Sequence, residues 1–336
     1  MRRVTIKNVA KRAGVSTATV SLALRDNPRI PATTRALVKR HATEIGYIYH
    51  RSAANLRTAT SSIIGVAVPD LNNPAYAKVI SAIEAALYDT GRMIFLANTM
   101  DSLERQDAFL RALREYGADG LIMCPAWETP ASVPEDLGNS RLPMVTFARE
   151  VPGSEIDAVV NNDLRAFYDA TRHLIDLGHR RIALVGCDKR ISTGRARLAG
   201  YRRCLEDNGI GDDLDLVFDC SPTRLSGADV GSRFADLAEP PTAALCFGDV
   251  IAFGLMHALR AHGIEPGRDF AVVGCDDVEE ASLFHPALTT ITIDEDRFGR
   301  NSVELLLERI AEPSRPRQHI VLAPVLTVRR SCGATG

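Results

Sequence analysis

The sequence has no apolar run near the ~18 residues that a membrane-spanning helix needs; its longest, such as Ile63–Val68, are strand-sized. The opening Met1-Arg2-Arg3-Val4 turns polar at once and has no apolar core for a secretion signal. The seven cysteines, at 124, 187, 204, 220, 246, 275 and 332, are odd in number and form no Cys-x-x-Cys pair. They read as free thiols of a cytoplasmic protein. Catalytic signatures are missing too: there is no Gly-x-x-x-x-Gly-Lys phosphate loop, no Gly-x-Ser-x-Gly elbow and no His-Glu-x-x-His metal helix. His257 and His262 stand five apart, which points them away from each other on a helix. No enzyme, metal or cofactor is expected. At 336 residues, 46% hydrophobic and 24% charged, the chain is large enough for two or three packed domains, which excludes general disorder.

The net charge of −2 hides an asymmetry. Residues 1–60 hold twelve Lys/Arg against two acids, Asp26 and Glu44, so they carry +10. The remaining 276 residues hold 28 basic against 40 acidic side chains, or −12. A basic head on an acidic body points to a polyanion as the partner of the head.

That head has a fold pattern. Residues 5–13 set Ile6, Val9, Ala10 and Ala13 on one helical face, with Thr5 as N-cap and Gly14 as the stop. Ser16 caps a second short helix whose Val20, Ala23 and Leu24 face inward. A third, about 32–45, adds Leu37, Val38, His41 and Ile45 and ends at Gly46. Two short helices across a tight Gly turn form a helix-turn-helix, whose second helix enters the major groove.

From Val4 to Ser16, then at Thr19-Val20-Ser21, Thr34-Arg35 and Gly46-Tyr47, the sequence closely resembles the head of the lactose/galactose-repressor (LacI/GalR) family. The resemblance implies DNA contacts by Thr5, Ser16, Thr17, Ala18, Thr19, Ser21, Leu22, Arg29, Thr34 and Tyr47, with Thr17, Ala18 and Leu22 in the base-reading places. Ala18 and Leu22 offer only apolar contact, for instance to a thymine methyl, so direct readout is sparse and more falls to DNA shape. Pro31 replaces a Ser or Thr cap. By the same resemblance, residues 50–60 form a hinge helix, with Asn55 in the minor groove and Leu56 wedging a base step open.

From residue 62 onward, apolar strands alternate with amphipathic helices. The expected strands lie at 63–68, 92–97, 119–124, 143–147, 181–186, 215–218, 243–247, 270–274, 288–293 and near 319–328. The expected helices lie at 74–90, 102–116, 163–177, 194–209, 225–238, 249–262 and 295–311. This is an α/β class, with parallel sheets covered by helices on both faces. It resembles the two-lobed periplasmic-binding-protein fold that the family uses as its effector domain. The expected organisation is a head at 1–49, a hinge at 50–60, and an effector-binding and dimerisation domain at 61–336. Its N-lobe takes about 62–160 and 292–320, and its C-lobe about 161–291 and 321–330.

In open α/β sheets ligands bind beyond the carboxyl ends of the strands. The candidates there are Asn73 and Tyr76 after the first strand, Arg149, Arg197, Phe247, Asp249 and Asp276. Arg197 and Asp276 match family motifs whose Arg and Asp bind sugar hydroxyls. Departures from the family pattern are Ala75 for an aromatic, Gly248 for an Asn, and Asn161-Asn162 for an Asp-Asn pair. His179 reads as a structural turn residue, and the acids at 276, 277, 279 and 280 as a solvated helix start. The chain reads as a repressor-type, sequence-specific DNA-binding regulator, dimeric on a pseudo-palindromic operator. A small ligand in the interlobe cleft, a sugar or derivative, controls it. A transport-type sugar-binding protein would share the body but lack the head.

Overall fold

The computed structural model describes residues 4–48, 61–139, 142–234 and 236–334. The chain divides into two compact units, Met1–Ser61 and Ser62–Gly336.

Among its described residues the first unit contains three helices: α1 (Ile6–Ala13), α2 (Thr17–Ala23) and α3 (Ala32–Glu44). Gly14 closes α1 with φ of 68°, a left-handed conformation that glycine adopts at no steric cost. Ser16 caps α2, its hydroxyl accepting from the Thr19 N–H at 3.0 Å. Pro31 opens α3 with no side-chain cap. Val9, Ala10, Val20, Ala23, Val38 and Ala42 form a shared core. Ala42 takes the central place from α3 that the reading gave to Leu37 and His41; both are half-buried, and His41 turns to Glu44 at 3.0 Å.

The second unit contains two six-stranded sheets. In chain order its elements are β1 (Ile63–Val68), α4 (Pro74–Tyr88), β2 (Met93–Asn98), α5 (Leu103–Glu115), β3 (Gly120–Met123), α6 (Ser132–Asn139), β4 (Met144–Phe147) and β5 (Asp157–Asn161). Then follow α7 (Asp163–Asp176), β6 (Ile182–Val185), α8 (Ser192–Asp207), β7 (Val217–Phe218), α9 (Arg224–Phe234), β8 (Ala243–Cys246), α10 (Asp249–Ala261), β9 (Ala271–Asp276) and α11 (Glu279–Leu283). The series ends with β10 (Thr289–Thr292), α12 (Glu295–Ala311), β11 (His319–Leu322) and β12 (Val325–Thr327).

One sheet runs β11-β5-β4-β3-β1-β2 and is parallel throughout; the other runs β12-β10-β9-β8-β6-β7, with only β12 antiparallel. Successive side chains of a strand face opposite ways. Ile64, Val66 and Val68 of β1 therefore enter the core under α4 and α12, while Ala67 joins the one under α5. In the other sheet Ile182 and Leu184 of β6 pack toward α7 and α8, and Ala183 and Val185 toward α9 and α10.

The strand Asp157–Asn161 and the helix Ser132–Asn139 are absent from the sequence reading. The former is short, with only Ala-Val-Val between polar ends. The latter carries Pro134 and Gly138, poor interior helix formers. No described helix is long and apolar enough to cross a membrane, and the seven cysteines are free.

Candidate functional site

Strand ends of both sheets converge on a single cavity. Its wall is built from the loop after β1, the ends of β4 and β5, the starts of α7 and α8, and the ends of β8 and β9.

Two guanidiniums stand in that wall, and each is matched by a carboxylate. Arg197, on α8, donates from Nε to Asp163 Oδ1 at 2.8 Å and from Nη1 to the Phe247 carbonyl. Its guanidinium lies 4.1 Å from the Phe247 ring centroid and 5.1 Å from that of Phe167, stacking and cation–π geometry. Burial opposes charge on this pair, raising Asp163 while Arg197 pulls it back. A guanidinium stays protonated in proteins, so at 2.8 Å we take the pair as ionised. Arg149 follows Ala148, which has φ of 59°, and donates to both Asp101 oxygens and to the Pro125 carbonyl at 3.0 Å.

Two acceptors stand unmatched. Asp276 ends β9, is buried, and receives no hydrogen bond from any described residue. Burial first, and the neighbouring Asp249 carboxyl second, hold its pKa well above the ordinary carboxylate range. Its φ of 114° is one that L side chains rarely adopt, with a cost on the order of 1–3 kcal/mol. The second acceptor is Asn161 Oδ1, buried at the lobe crossing without a partner among the described residues. Gly248 keeps the space over Asp276 open, since a Cβ there would lie 3.1 Å from Asp276 Oδ2. Tyr76 meets Phe147 edge-on at 6.3 Å. Paired cations, unpaired acceptors and aromatic faces suit a small, donor-rich ligand without an anionic group.

Nearby, the lobes touch. The Trp127 ring carries the Arg190 guanidinium 3.6 Å from its centroid, and the Glu150 N–H donates to Ser192 Oγ at 3.0 Å.

Residues 5–49 match the model of bacterial regulatory proteins of the lacI family, and residues 171–332 that of a periplasmic binding protein-like domain. The HTH-type transcriptional repressor PurR of Photobacterium profundum is 31% identical over 97% of this chain and 98% of its own. That of Proteus mirabilis is 33% identical over 97% and 96%. The lac repressor dimer bound to operator and the anti-inducer ONPF superposes with a TM-score of 0.87 at 27% identity, covering 98% of this chain and 99% of that one. The complex of the regulator CelR with cellobiose gives 0.74 at 28%, covering 98% and 100%.

The chain belongs to the LacI family of bacterial regulatory proteins. It carries both parts of that family, a helix-turn-helix head and an α/β body of two parallel-sheet lobes.

Of the residues singled out from the LacI-like sequence, Asn73, Tyr76, Arg149, Arg197, Phe247 and Asp276 line one cavity. Asn73 also caps α4, accepting from the Ala75 N–H at 3.0 Å. Asp249 does not belong to the wall. It is fully buried behind it, with Oδ1 accepting from Thr290 Oγ1 at 2.6 Å and Oδ2 from the Val278 N–H at 2.9 Å, so both oxygens are engaged in joining β10 and α11 to α10. His179 pairs with Thr242 Oγ1 at 2.9 Å in its turn. The acids at 276–280 are not one solvated start: Asp276 is buried, and Asp277 accepts from Thr292 at 2.8 Å and Arg329 at 2.7 Å.

Sequence reasoning missed Asp101, Asp163 and Trp127. Their signal is three-dimensional, because each is defined by a cation that another strand or lobe brings to it.

In the head, Thr5, Ser16, Thr17, Ala18 and Arg29 are exposed, while Thr19, Leu22, Thr34 and Tyr47 are half-buried. Thr5 is tied to Asn8 Oδ1 through its N–H and hydroxyl, at 2.9 and 2.7 Å. Ser21 departs from expectation. It is buried, and Arg25 folds back on it, Nε to its carbonyl at 3.1 Å and Nη2 to its hydroxyl at 3.4 Å. Both acids of the head are consumed within it: Asp26 by Lys39 at 2.6 Å, and Glu44 by His41 and Arg12 at 3.0 and 3.4 Å. Asn55, Leu56 and the rest of the expected hinge lie outside the described residues.

Proposed function

We propose that this LacI-family chain is a repressor that binds operator DNA through residues 1–49 and is controlled by a small polyhydroxylated ligand, a sugar or derivative, held between the lobes of residues 61–336. It acts by binding and not by catalysis, and in the cytoplasm, where the DNA is. The observation that carries the ligand reading is the pair of unmatched acceptors, Asp276 and Asn161 Oδ1, facing a cavity whose cations are already paired. A buried acceptor left without a donor costs about 1–3 kcal/mol, so the cavity gains by receiving hydroxyl donors. Ring faces of Tyr76, Phe147 and Phe247 suit the apolar face of a pyranose. The similarity to the cellobiose complex of CelR fits this class.

A dimer is part of the reading. Edge strand β2 and its surroundings leave Tyr88, Met93 and Leu96 exposed, and the other lobe exposes Leu225 and Leu283. Apolar groups on a sheet edge invite a partner, and a second copy supplies two heads for a two-fold-symmetric operator. We place the head–body coupling in residues 50–60.

The test is a thermal-shift screen over neutral sugars, polyols, sugar acids and nucleosides, followed by titration of the hit on operator-bound protein. Ligand at ~100 times its dissociation constant adds about 2.7 kcal/mol, a readable shift. Asp276→Ala and Asn161→Ala, which remove the two unmatched acceptors, are expected to weaken ligand binding by about 1–3 kcal/mol each while leaving DNA binding intact. If both variants answer the ligand as the parent does, the effector site is elsewhere.

A further inference from the structure

We propose that the head reads pyrimidine C5-methyl groups in the major groove through Ala18 and Leu22, and that its affinity for DNA therefore responds to cytosine-5 methylation. The inference rests on the DNA-binding reading above and adds the chemistry of its base contact.

The polar groups along α2 are largely spent within the head. Ser16 Oγ accepts from the Thr19 N–H at 3.0 Å and lies 2.9 Å from the Thr19 hydroxyl. Ser21 is buried, and Arg25, the one long donor at the end of this helix, folds back onto it. With Nε and Nη2 turned back on Ser21, this guanidinium is not presented as the two-donor fork that reads guanine O6 and N7, the commonest specific contact, and α2 itself carries no Asn or Gln to read adenine.

What faces outward is apolar. Ala18 is exposed, and Leu22 is half-buried yet stands outside the cluster that Val20, Ala23 and Leu24 form with α1 and α3. Only the Thr17 hydroxyl accompanies them. The net +10 of residues 1–60 makes DNA the occupant that fits this surface. Among base edges, the group that rewards an apolar contact is the methyl at pyrimidine C5. Thymine carries it; uracil and cytosine lack it; 5-methylcytosine carries it in the same place. Burying one such group is worth about fourfold in affinity.

The experiment uses the full chain and duplexes it selects from a randomised pool. At each pyrimidine of a selected site, affinity is compared for thymine against uracil and for 5-methylcytosine against cytosine. Each comparison changes one methyl and leaves the hydrogen-bonding edge unaltered. The expected result is a gain of about fourfold from the methyl in both comparisons at the same symmetry-related positions. Leu22→Ala or Ala18→Ser should reduce that gain while the steep salt dependence persists. Circular dichroism confirms that the variant heads are folded. Equal affinity with and without the methyl at every position overturns the proposal, and so does a gain that both variants keep in full. If the chain selects no sequence from the pool, the operator reading falls and this inference falls with it.

Discussion

At the level of single residues, the motifs located the cavity's anchors but not their partners. Arg197 and Asp276 stood out because a fixed spacing carried them, whereas Asp101 and Asp163 meet their cations across 48 and 34 residues. Asp249 shows the opposite error: the same spacing flagged it, yet its two oxygens serve Thr290 and Val278. Its burial has a measurable consequence. Desolvation pushes its pKa up to about 7, from an ordinary 3.8. The folded state thus favours the protonated acid, so this group's stability is fully present below about pH 4 and is lost as pH rises through about 7. An Asn can copy the protonated form, its carbonyl accepting from the Val278 N–H and its NH₂ donating to Thr290 Oγ1. Asp249→Asn is expected to flatten the fall in urea-denaturation midpoint between about pH 4 and 7, and to be the more stable protein at pH 7 and above. A parent and variant with parallel pH profiles would contradict the assignment.

At the level of elements, apolar runs of four to six residues gave away most strands, and 3.6-residue periodicity most helices. Periodicity says nothing of how closely two helices approach. Between α9 and α10 the contact is backbone to backbone: a Cβ on Gly254 would lie 1.8 Å from the Arg224 carbonyl oxygen. Helix propensity alone favours alanine over glycine by about 1 kcal/mol. Forcing a methyl against an immovable carbonyl costs about 3 kcal/mol or more, so packing outweighs propensity. Gly254→Ala should therefore lose about 2 kcal/mol or more of stability. Gly138→Ala on α6, where a Cβ meets nothing within 4 Å, should gain up to about 1 kcal/mol. Denaturant titration of the two variants checks both signs. A neutral or stabilising Gly254→Ala would show that the helix pair relaxes more easily than this packing implies.

At the level of the whole molecule, the division of labour was written in the charges before any fold was considered. Residues 1–60 carry +10 and the rest −12, and the boundary between the compact units falls at Ser61/Ser62. The asymmetry is functional in the folded head, because two acids, Asp26 and Glu44, shared among Lys39, His41, Arg12 and Arg40, cannot neutralise twelve Lys/Arg. Each phosphate that such a cation neutralises releases a condensed counterion, so affinity falls as a power of salt concentration. For a dimeric head with six or more phosphate contacts, the fall between about 50 and 200 mM salt is on the order of a thousandfold. The cavity should behave differently. Arg149 and Arg197 are buried beside their own carboxylates, and buried pairs are screened little. A fragment of residues 62–336 should accordingly keep ligand affinity, with little salt dependence, and lose DNA binding altogether, since its own −12 repels phosphate. Filter binding and calorimetry across a salt series measure both. Operator binding retained by the fragment would move the DNA site out of the head and undo the assignment of the two units.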